Sequence, residues 1–378
     1  MILFIACIII LTYIYVGYPC LLFILTRIQR RDIRSGSYEP HVSILIAAHN
    51  EERYIKDTLE NKLSLDYPHD KIQIIVISDG SHDKTDEIVR SFDNRNVILI
   101  RQEPRAGKTA ALNLAVPRAT GEILIFSDAN SIYESDALRK LLRNFKDPRV
   151  GYVTGKMIYT NPDGTTVGNG CSAYMKYENL LRSLETRVGS IVGVDGGIDA
   201  VRRELYRPMK PDQLPDLILP FDVIEQGYRV VYEPEAHLRE DTLKRSEDEF
   251  RMRTRVSLRA LWALWDMRKL LNPVSYGLFS LQLLSHKVLR YLSIVFIGIL
   301  YAINLVLINK SFYFKTFFFL QSIVFGMALT GHWLEKIGRP SSILYVPYYF
   351  FLVNIAAGKA LLKFLKGDKL ITWKPRKG

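Results

Sequence analysis

Ile74-Ile75-Val76-Ile77-Ser78-Asp79 and Ile123-Leu124-Ile125-Phe126-Ser127-Asp128 decide the reading of this chain. Each is an unbroken apolar run that closes on an aspartate. Such runs fit strands buried on both faces of a parallel sheet. Ligands of these sheets bind beyond the carboxyl ends of the strands. Two carboxylates on that edge can hold a nucleotide and its metal. A third, Asp216, stands ahead of the Gly227–Ala236 segment and can act as a base.

The pattern extends over residues 40–240. Strands are expected at Val42–Ala47, Ile72–Ile77, Val97–Ile100, Ile123–Phe126, Tyr152–Thr154 and Val230–Tyr232. Helices are expected over 51–63, 84–92, 108–115, 135–146 and 170–188. Strand–helix alternation implies an α/β domain with a mixed, mostly parallel sheet.

The flanks read as membrane segments. Residues 1–26 carry no charged side chain, more than the roughly 20 residues needed to cross the hydrocarbon. A signal peptide has a basic start and a shorter apolar stretch; this run has neither and ends at Arg27. It is expected to be an uncleaved transmembrane helix. Arg27, Arg30, Arg31 and Arg34 then keep the catalytic domain in the cytoplasm. Within 284–366, three uncharged runs, Tyr291–Asn309, Thr316–Leu334 and Pro340–Gly358, give two or three further spans. The third contains Pro347 and Asn354 and is expected to be re-entrant or interfacial. The basic tail, 367–378, is expected in the cytoplasm. Between domain and spans, 246–275 reads as an amphipathic interfacial helix region, in which arginines alternate with Leu258, Leu261, Trp262, Leu264 and Trp265.

Composition narrows the function. The 378 residues carry a net charge of +12, but much of the basic excess flanks apolar runs. That placement fits contact with membrane lipids and not with nucleic acid. Cys7, Cys20 and Cys171 have no metal or disulfide spacing.

Several polar residues stand where chemistry needs them. Ala47–Glu52 follows the first strand; Glu51 can face a nucleotide, while Asn50 suits a helix N-cap. His49 lacks a metal partner nearby and reads as structural. Asp79 can accept a hydrogen bond from a base N–H, or form an ordinary Asp-Gly turn. In Arg105–Asn113, Lys108 can meet a diphosphate, with Gly107 allowing close approach. The rival reading is a solvated helix start, and the spacing is not that of a Walker loop. Asp128-Ala129-Asn130 offers alternating oxygen ligands at a strand end, suited to Mg2+ or Mn2+ bound with phosphates. Asp216 can take a proton from an attacking hydroxyl, or cap a helix; Asp212 and Asp222 are its rivals.

Taken together, Ala47–Glu52, Ser78–Ser81 with Asp83 and Thr85, Gly107–Asn113, Ser127–Asn130, Ala200–Arg203, Asp216–Pro220 and Gly227–Ala236 resemble the family 2 glycosyltransferases. These are inverting enzymes of GT-A fold, and the membrane runs match their membrane-bound members. The resemblance implies that Glu51, Asp79 and Lys108 line the nucleotide of a nucleotide-sugar donor. It implies that Asp128 and Asn130 stand at the family's Asp-x-Asp with the metal, and that Gly196 and Gly197 lie by the donor sugar. Asp216 becomes the general base.

Three departures matter. Pro215 precedes Asp216 where many members have an acidic residue. Asn130 replaces a second Asp. The Gln-x-x-Arg-Trp of the processive polysaccharide synthases is represented by Met252-Arg253-Thr254-Arg255-Val256, in which Arg255 alone is kept, at the acceptor and diphosphate. The expectation is a multi-pass enzyme of the inner membrane with a cytoplasmic catalytic domain. It would pass a sugar to a lipid-linked or polysaccharide acceptor. The alternatives are a processive synthase that extrudes its polymer and an inactive scaffold of an assembly complex.

Overall fold

The computed structural model describes residues 1–92, 96–161, 164–243, 245–339, 341 and 343–371. The chain forms two compact units. One comprises Met1–Ile28, Tyr159–Leu184 and Asp241–Asp368; the other comprises Gln29–Ile158, Glu185–Glu240 and the described start of Lys369–Gly378. Residues 159–184, which composition placed inside a continuous 40–240 domain, therefore group with the membrane helices. Trp373, Lys374, Arg376 and Lys377, most of the charge in the expected basic tail, lie outside the described residues.

The sheet unit is built on eight strands: β1 Val42–Ala48, β2 Ile72–Asp79, β3 Val97–Gln102, β4 Ile123–Asp128, β5 Ile132–Tyr133, β6 Val150–Thr160, β7 Ile198–Arg202 and β8 Arg229–Asp241. Their order is β3-β2-β1-β4-β7-β6-β8-β5. The β3-β2-β1-β4 half is parallel; β4–β7, β6–β7 and β5–β8 are antiparallel. Register brings the aspartates to one edge. Ala47 pairs with Ile77 on one side and with Asp128 on the other, so Asp79 and Asp128 flank the end of β1. All seven residues of β1 are buried, as an interior parallel strand requires.

β5 and β7 were not expected. The first has two residues, and the second carries Asp199 at its second position, which breaks the apolar run that marks a strand. The first helix begins at Ile55, not at residue 51. Asn50 is not its N-cap. It adopts φ 55°, a left-handed conformation that Asn tolerates. Its Oδ1 accepts from the His82 N–H and its own N–H donates to Ser81 Oγ, so it ties the end of β1 to the turn after β2.

In the membrane unit, Ile2–Ile28, Phe312–Lys336 and Tyr345–Leu365 are each long and apolar enough to cross a bilayer. Leu278–Tyr291 and Ser293–Leu307 form a further pair bent by 56°. The bend lies at the start of the first C-terminal run. Pro347 sits in the first turn of Tyr345–Leu365, where no intrahelical N–H is needed. The Asn354 amide donates to the Phe350 carbonyl at 2.8 Å and accepts from Tyr15 Oη, so it leaves no exposed polar group in the helix. Pro340, where the expected run began, lies outside the described residues. Ser246–Asp266 is one helix. Arg251 is exposed, but Arg253 turns inward to Glu249 Oε1 and Tyr349 Oη, both at 2.8 Å. Cys7 and Cys171 are buried in apolar clusters.

Glu178 is a buried carboxylate set among cations. His286 lies 3.2 Å away, Lys287 3.9 Å, and Arg290 is in direct contact. Removing one member of a buried ion pair leaves the others uncompensated and costs about 3–5 kcal/mol. Glu178→Gln should therefore lower the thermal midpoint of the detergent-solubilised protein sharply. Arg251→Ala, which removes an exposed pair with Asp248, should change stability by no more than about 1 kcal/mol.

Candidate functional site

Lys108 gathers the site. It opens the Lys108–Ala115 helix directly after Gly107, whose φ of 94° suits glycine. Its Nζ lies 2.8 Å from Asp128 Oδ1 and 3.8 Å from Asp216 Oδ1. It also faces the Gly196 carbonyl oxygen at 3.4 Å. Burial works against the ammonium, but Asp128 and Asp216 outweigh it and hold the Lys108 pKa above its ordinary value. Residues separated by more than a hundred positions thus meet on one cation.

Asp216 stands in the first turn of the Pro215–Glu225 helix, where the helix dipole favours an anion. Gly196 (φ 84°) makes room for it: a Cβ there would fall 2.5 Å from Asp216 Cγ. Of the rivals, Asp212 is paired with Lys369 at 2.5 Å. Burial would raise its pKa, but Lys369 outweighs that and holds it low. Asp222 lies in the later part of the same helix. Asp216 is the carboxylate that the fold brings to Lys108.

Asp79 is at the expected strand end. It is fully buried. Oδ1 accepts from Gln102 Nε2 and the Ala106 N–H, and Oδ2 accepts from the Gly107 N–H. The carboxylate shapes the loop that delivers Lys108 and offers no exposed oxygen to a base. Glu51 is half-buried at the end of β1, its N–H donating to Thr85 Oγ1 at 2.8 Å. Asp83 fixes the same corner, accepting from the Glu52 and Thr85 backbones. His49 is structural, with Nδ1 bonded to the Asp79 carbonyl at 2.7 Å and its pKa lowered by burial.

Asn130 lies two residues beyond Asp128, with Nδ2 3.5 Å from Glu240 Oε1. Gly197 follows Gly196, and its carbonyl accepts from Tyr133 Oη at 2.9 Å. Arg255 belongs to the membrane unit, on Ser246–Asp266. A polar cleft lined by Glu52, Ser81, His82, Asp83, Lys84 and Arg101 lies on the β2 side; Lys108, Asp128 and Asp216 do not line it.

Two features were missed by sequence reasoning. Asp199 on β7 is 1% exposed and hydrogen-bonded to Thr154 and Tyr152. Burial pushes its pKa up to about 7, with Asp216 and Asp195 adding to the rise. Its place directly after Gly196-Gly197-Ile198 was the available signal. The second is the segment after the last helix. Lys369 pairs with Asp212, and the Ile371 carbonyl lies so near Gly107 that a Cβ there would meet it at 2.7 Å.

Residues 43–206 match the model of Glycosyl transferase family 2. The chain is similar to the poly-beta-1,6-N-acetyl-D-glucosamine synthase of Staphylococcus aureus (strain COL). Identity is 29% over 199 residues, covering 51% of this chain and 48% of that protein. It is also similar to the beta-monoglucosyldiacylglycerol synthase of Trichormus variabilis (strain ATCC 29413 / PCC 7937), 31% identical over 169 residues, covering 44% of this chain and 36% of that one. The chain thus spans about half the length, or less, of the curated relatives it matches. Among solved structures, the mannosyltransferase PcManGT from Pyrobaculum calidifontis, in complex with GDP-Man and Mn2+, superposes with a TM-score of 0.70. Identity is 22%, over 94% of this chain and 98% of that one. Residues 43–206 thus carry a glycosyl transferase family 2 domain, and the fold is GT-A.

The raised pKa of Asp199 ties stability to pH. The folded state holds this proton more tightly than the unfolded chain, so Asp199 costs stability as pH rises from about 4 to about 7. Asp199→Asn should flatten that slope. The variant's thermal midpoint should exceed the wild type's at pH 8, and the gap should close toward pH 5. Parallel curves would remove Asp199 as the source.

Proposed function

We propose that this chain is an inverting glycosyltransferase that moves a sugar from a nucleotide-sugar donor to an acceptor at the membrane. The observation that carries the reading is Lys108 between Asp128 and Asp216, beside the Gly196 carbonyl. Donor and base ends of one reaction need to lie within a few ångströms of each other. Asp216 would take the proton of the attacking hydroxyl. Lys108 would hold negative charge on the departing diphosphate. Gly196 and Gly197 would leave space for the donor sugar. Glu51 would face the nucleotide, and Asp79 would act through the Arg105–Gly107 loop. Arg255 would serve the acceptor side.

The donor set fits a divalent cation. Asp128 is a partly exposed carboxylate, and Asn130, two residues on, would supply a second oxygen; Mg2+ and Mn2+ take such hard ligands. A bound metal supplies charge neutralisation on the leaving phosphates. The names of the two relatives support a polysaccharide or a lipid-linked acceptor, and the polymer synthase keeps a processive reaction as a second reading. Product length separates them.

A topology with the sheet unit in the cytoplasm of an inner membrane is part of the proposal. Lys369 pairs with Asp212 of the sheet unit, so the start of the tail shares its side of the membrane. Phe312–Lys336 and Tyr345–Leu365 then cross as a pair. The bent Leu278–Leu307 segment is re-entrant.

Asp216→Asn should keep donor binding and lower turnover by about 10²–10⁴-fold, the scale of general-base catalysis. Asp212→Asn should not. Near wild-type turnover in Asp216→Asn, measured as release of nucleoside diphosphate, would remove Asp216 from the role. Chelation by EDTA should abolish turnover, and Asp128→Ala should weaken nucleotide binding more with Mn2+ than without it. Full activity in EDTA would leave Lys108 alone to hold the diphosphate.

A further inference from the structure

We infer that the Ile55–Leu63 helix positions the Asp128–Asn130 loop from behind, and that buried Lys62, through Tyr133, sets the spacing between that loop and the Gly196–Gly197 turn. The inference deepens the proposed reading of the site and rests on it.

Thr58, Asn61 and Lys62 stand at i, i+3 and i+4, so they share one face of the helix. All three are used on the backbone of the segment after β4. Thr58 Oγ1 donates to the Ala129 carbonyl at 2.7 Å. Lys62 Nζ donates to the Ser131 carbonyl at 2.6 Å. Asn61 exchanges two bonds with Tyr133, accepting from its N–H at 2.8 Å and donating to its carbonyl at 2.9 Å. The residues on both sides of Asn130 are therefore held by this helix. The segment's own closure is looser, at 3.3 Å from the Ser131 N–H to the Asp128 carbonyl.

Lys62 is 0% exposed. Placing an ammonium there is costly unless its protons are taken up. Its described partners are the Ser131 carbonyl, Asn61 Oδ1 at 3.0 Å, and the face of the Tyr133 ring at 3.5 Å. None of these is a carboxylate. The amino group lies over the ring face, and burial with no facing carboxylate lowers its pKa well below the ordinary lysine value. A methionine would fill the same volume without that cost, so what the amino group adds is the hold on the loop and ring.

Tyr133 carries the effect onward. Its hydroxyl lies 3.1 Å from the Phe126 carbonyl and 2.9 Å from the Gly197 carbonyl. Phe126 is on β4, two residues before Asp128, and Gly197 adjoins the glycine that makes room for Asp216. One side chain, pinned by Lys62 at its ring, ties the Asp128 strand to the turn beside Asp216. A shift of about 1 Å in such a spacing is enough to cost about 10²-fold in rate. Thr58, Asn61, Lys62 and Tyr133 touch none of the reacting groups assigned above; they are positioning residues.

The test uses the full chain in detergent with Lys62→Met, Tyr133→Phe, Thr58→Val and Thr58→Ser. Three readouts are taken: the thermal midpoint, hydrogen–deuterium exchange over 129–133, and affinity for Mn2+ alone from the EPR signal of the free ion. Exchange should quicken over 129–133 in Lys62→Met and Tyr133→Phe while the rest of the sheet keeps its protection. Mn2+ affinity should fall by about 10–100-fold, as when an outer partner of a metal ligand is lost. Thr58→Ser, which keeps the hydroxyl, should behave as wild type where Thr58→Val does not. Unchanged exchange in both Lys62→Met and Tyr133→Phe overturns the inference, as does a lowered midpoint with wild-type exchange and affinity. If Lys62→Met does not fold, Tyr133→Phe and the Thr58 pair decide it. A wild type that binds no Mn2+ sinks the metal reading of the site instead, and exchange alone then decides the inference.

Discussion

The contact on which the site depends is the ammonium of Lys108 between Asp128 and Asp216. Two partly buried carboxylates on one edge repel each other, and an interior cation offsets that repulsion. The contact requires three separate pieces of backbone to arrive together. Parallel register carries Asp128 to the edge beside Ala47. Asp79 folds the Arg105–Gly107 loop around its own carboxylate, so that Lys108 starts a helix above that edge. Gly196 lacks the Cβ that would strike Asp216. Each piece is set by local chemistry, yet none has a function alone.

The charge count around Lys108 explains the behaviour of a fourth acid. Asp199 lies deeper than Asp128 or Asp216 and has Asp216 and Asp195 for neighbours. One lysine cannot offset them all. The group without solvent keeps its proton, because burial penalises its charge the most. Below about pH 7 the protonated Asp199, held by Thr154 and Tyr152, leaves the Lys108 charge to the two partly exposed carboxylates. The burial gradient thus divides like residues into one structural acid and two that are available for chemistry.

Much of this was legible in the sequence. The apolar runs ending at Asp79 and Asp128 announced the parallel half of the sheet, because a strand buried on both faces has no alternative composition. The order of motifs from Ala47 to Ala236 pointed to the family and the fold. What escaped were features that depend on distant partners. β7 was hidden by Asp199, a carboxyl group that Thr154 and Tyr152 meet from β6. Lys62 read as an ordinary helix residue, since nothing nearby in sequence announces Ser131 or the Tyr133 ring. The partners of Asp79 at 102, 106 and 107 become visible only once the chain is folded. Pro347 and Asn354 looked disruptive until their places were known: one in a first turn, the other with its amide bonded to the helix itself.

The same dependence on distant partners governs the far end of the chain. Composition marks the residues after Leu365 as a basic flank, whose charge resists translocation. Lys369 does more than carry charge. It pairs with Asp212, four residues before Asp216, and Ile371 lies against Gly107, one residue before Lys108. The segment after the last helix therefore touches the two loops that deliver the ends of the Lys108 contact. A glycine is needed at 107 on both counts: its φ of 94° and the nearness of the Ile371 carbonyl each leave no room for a side chain. The cation that opposes Asp212 also helps keep that rival carboxylate ionised and engaged. Asp216 is thereby left as the acid of this loop that faces Lys108, and the base proposed for it rests on where its neighbours are held as much as on its own position.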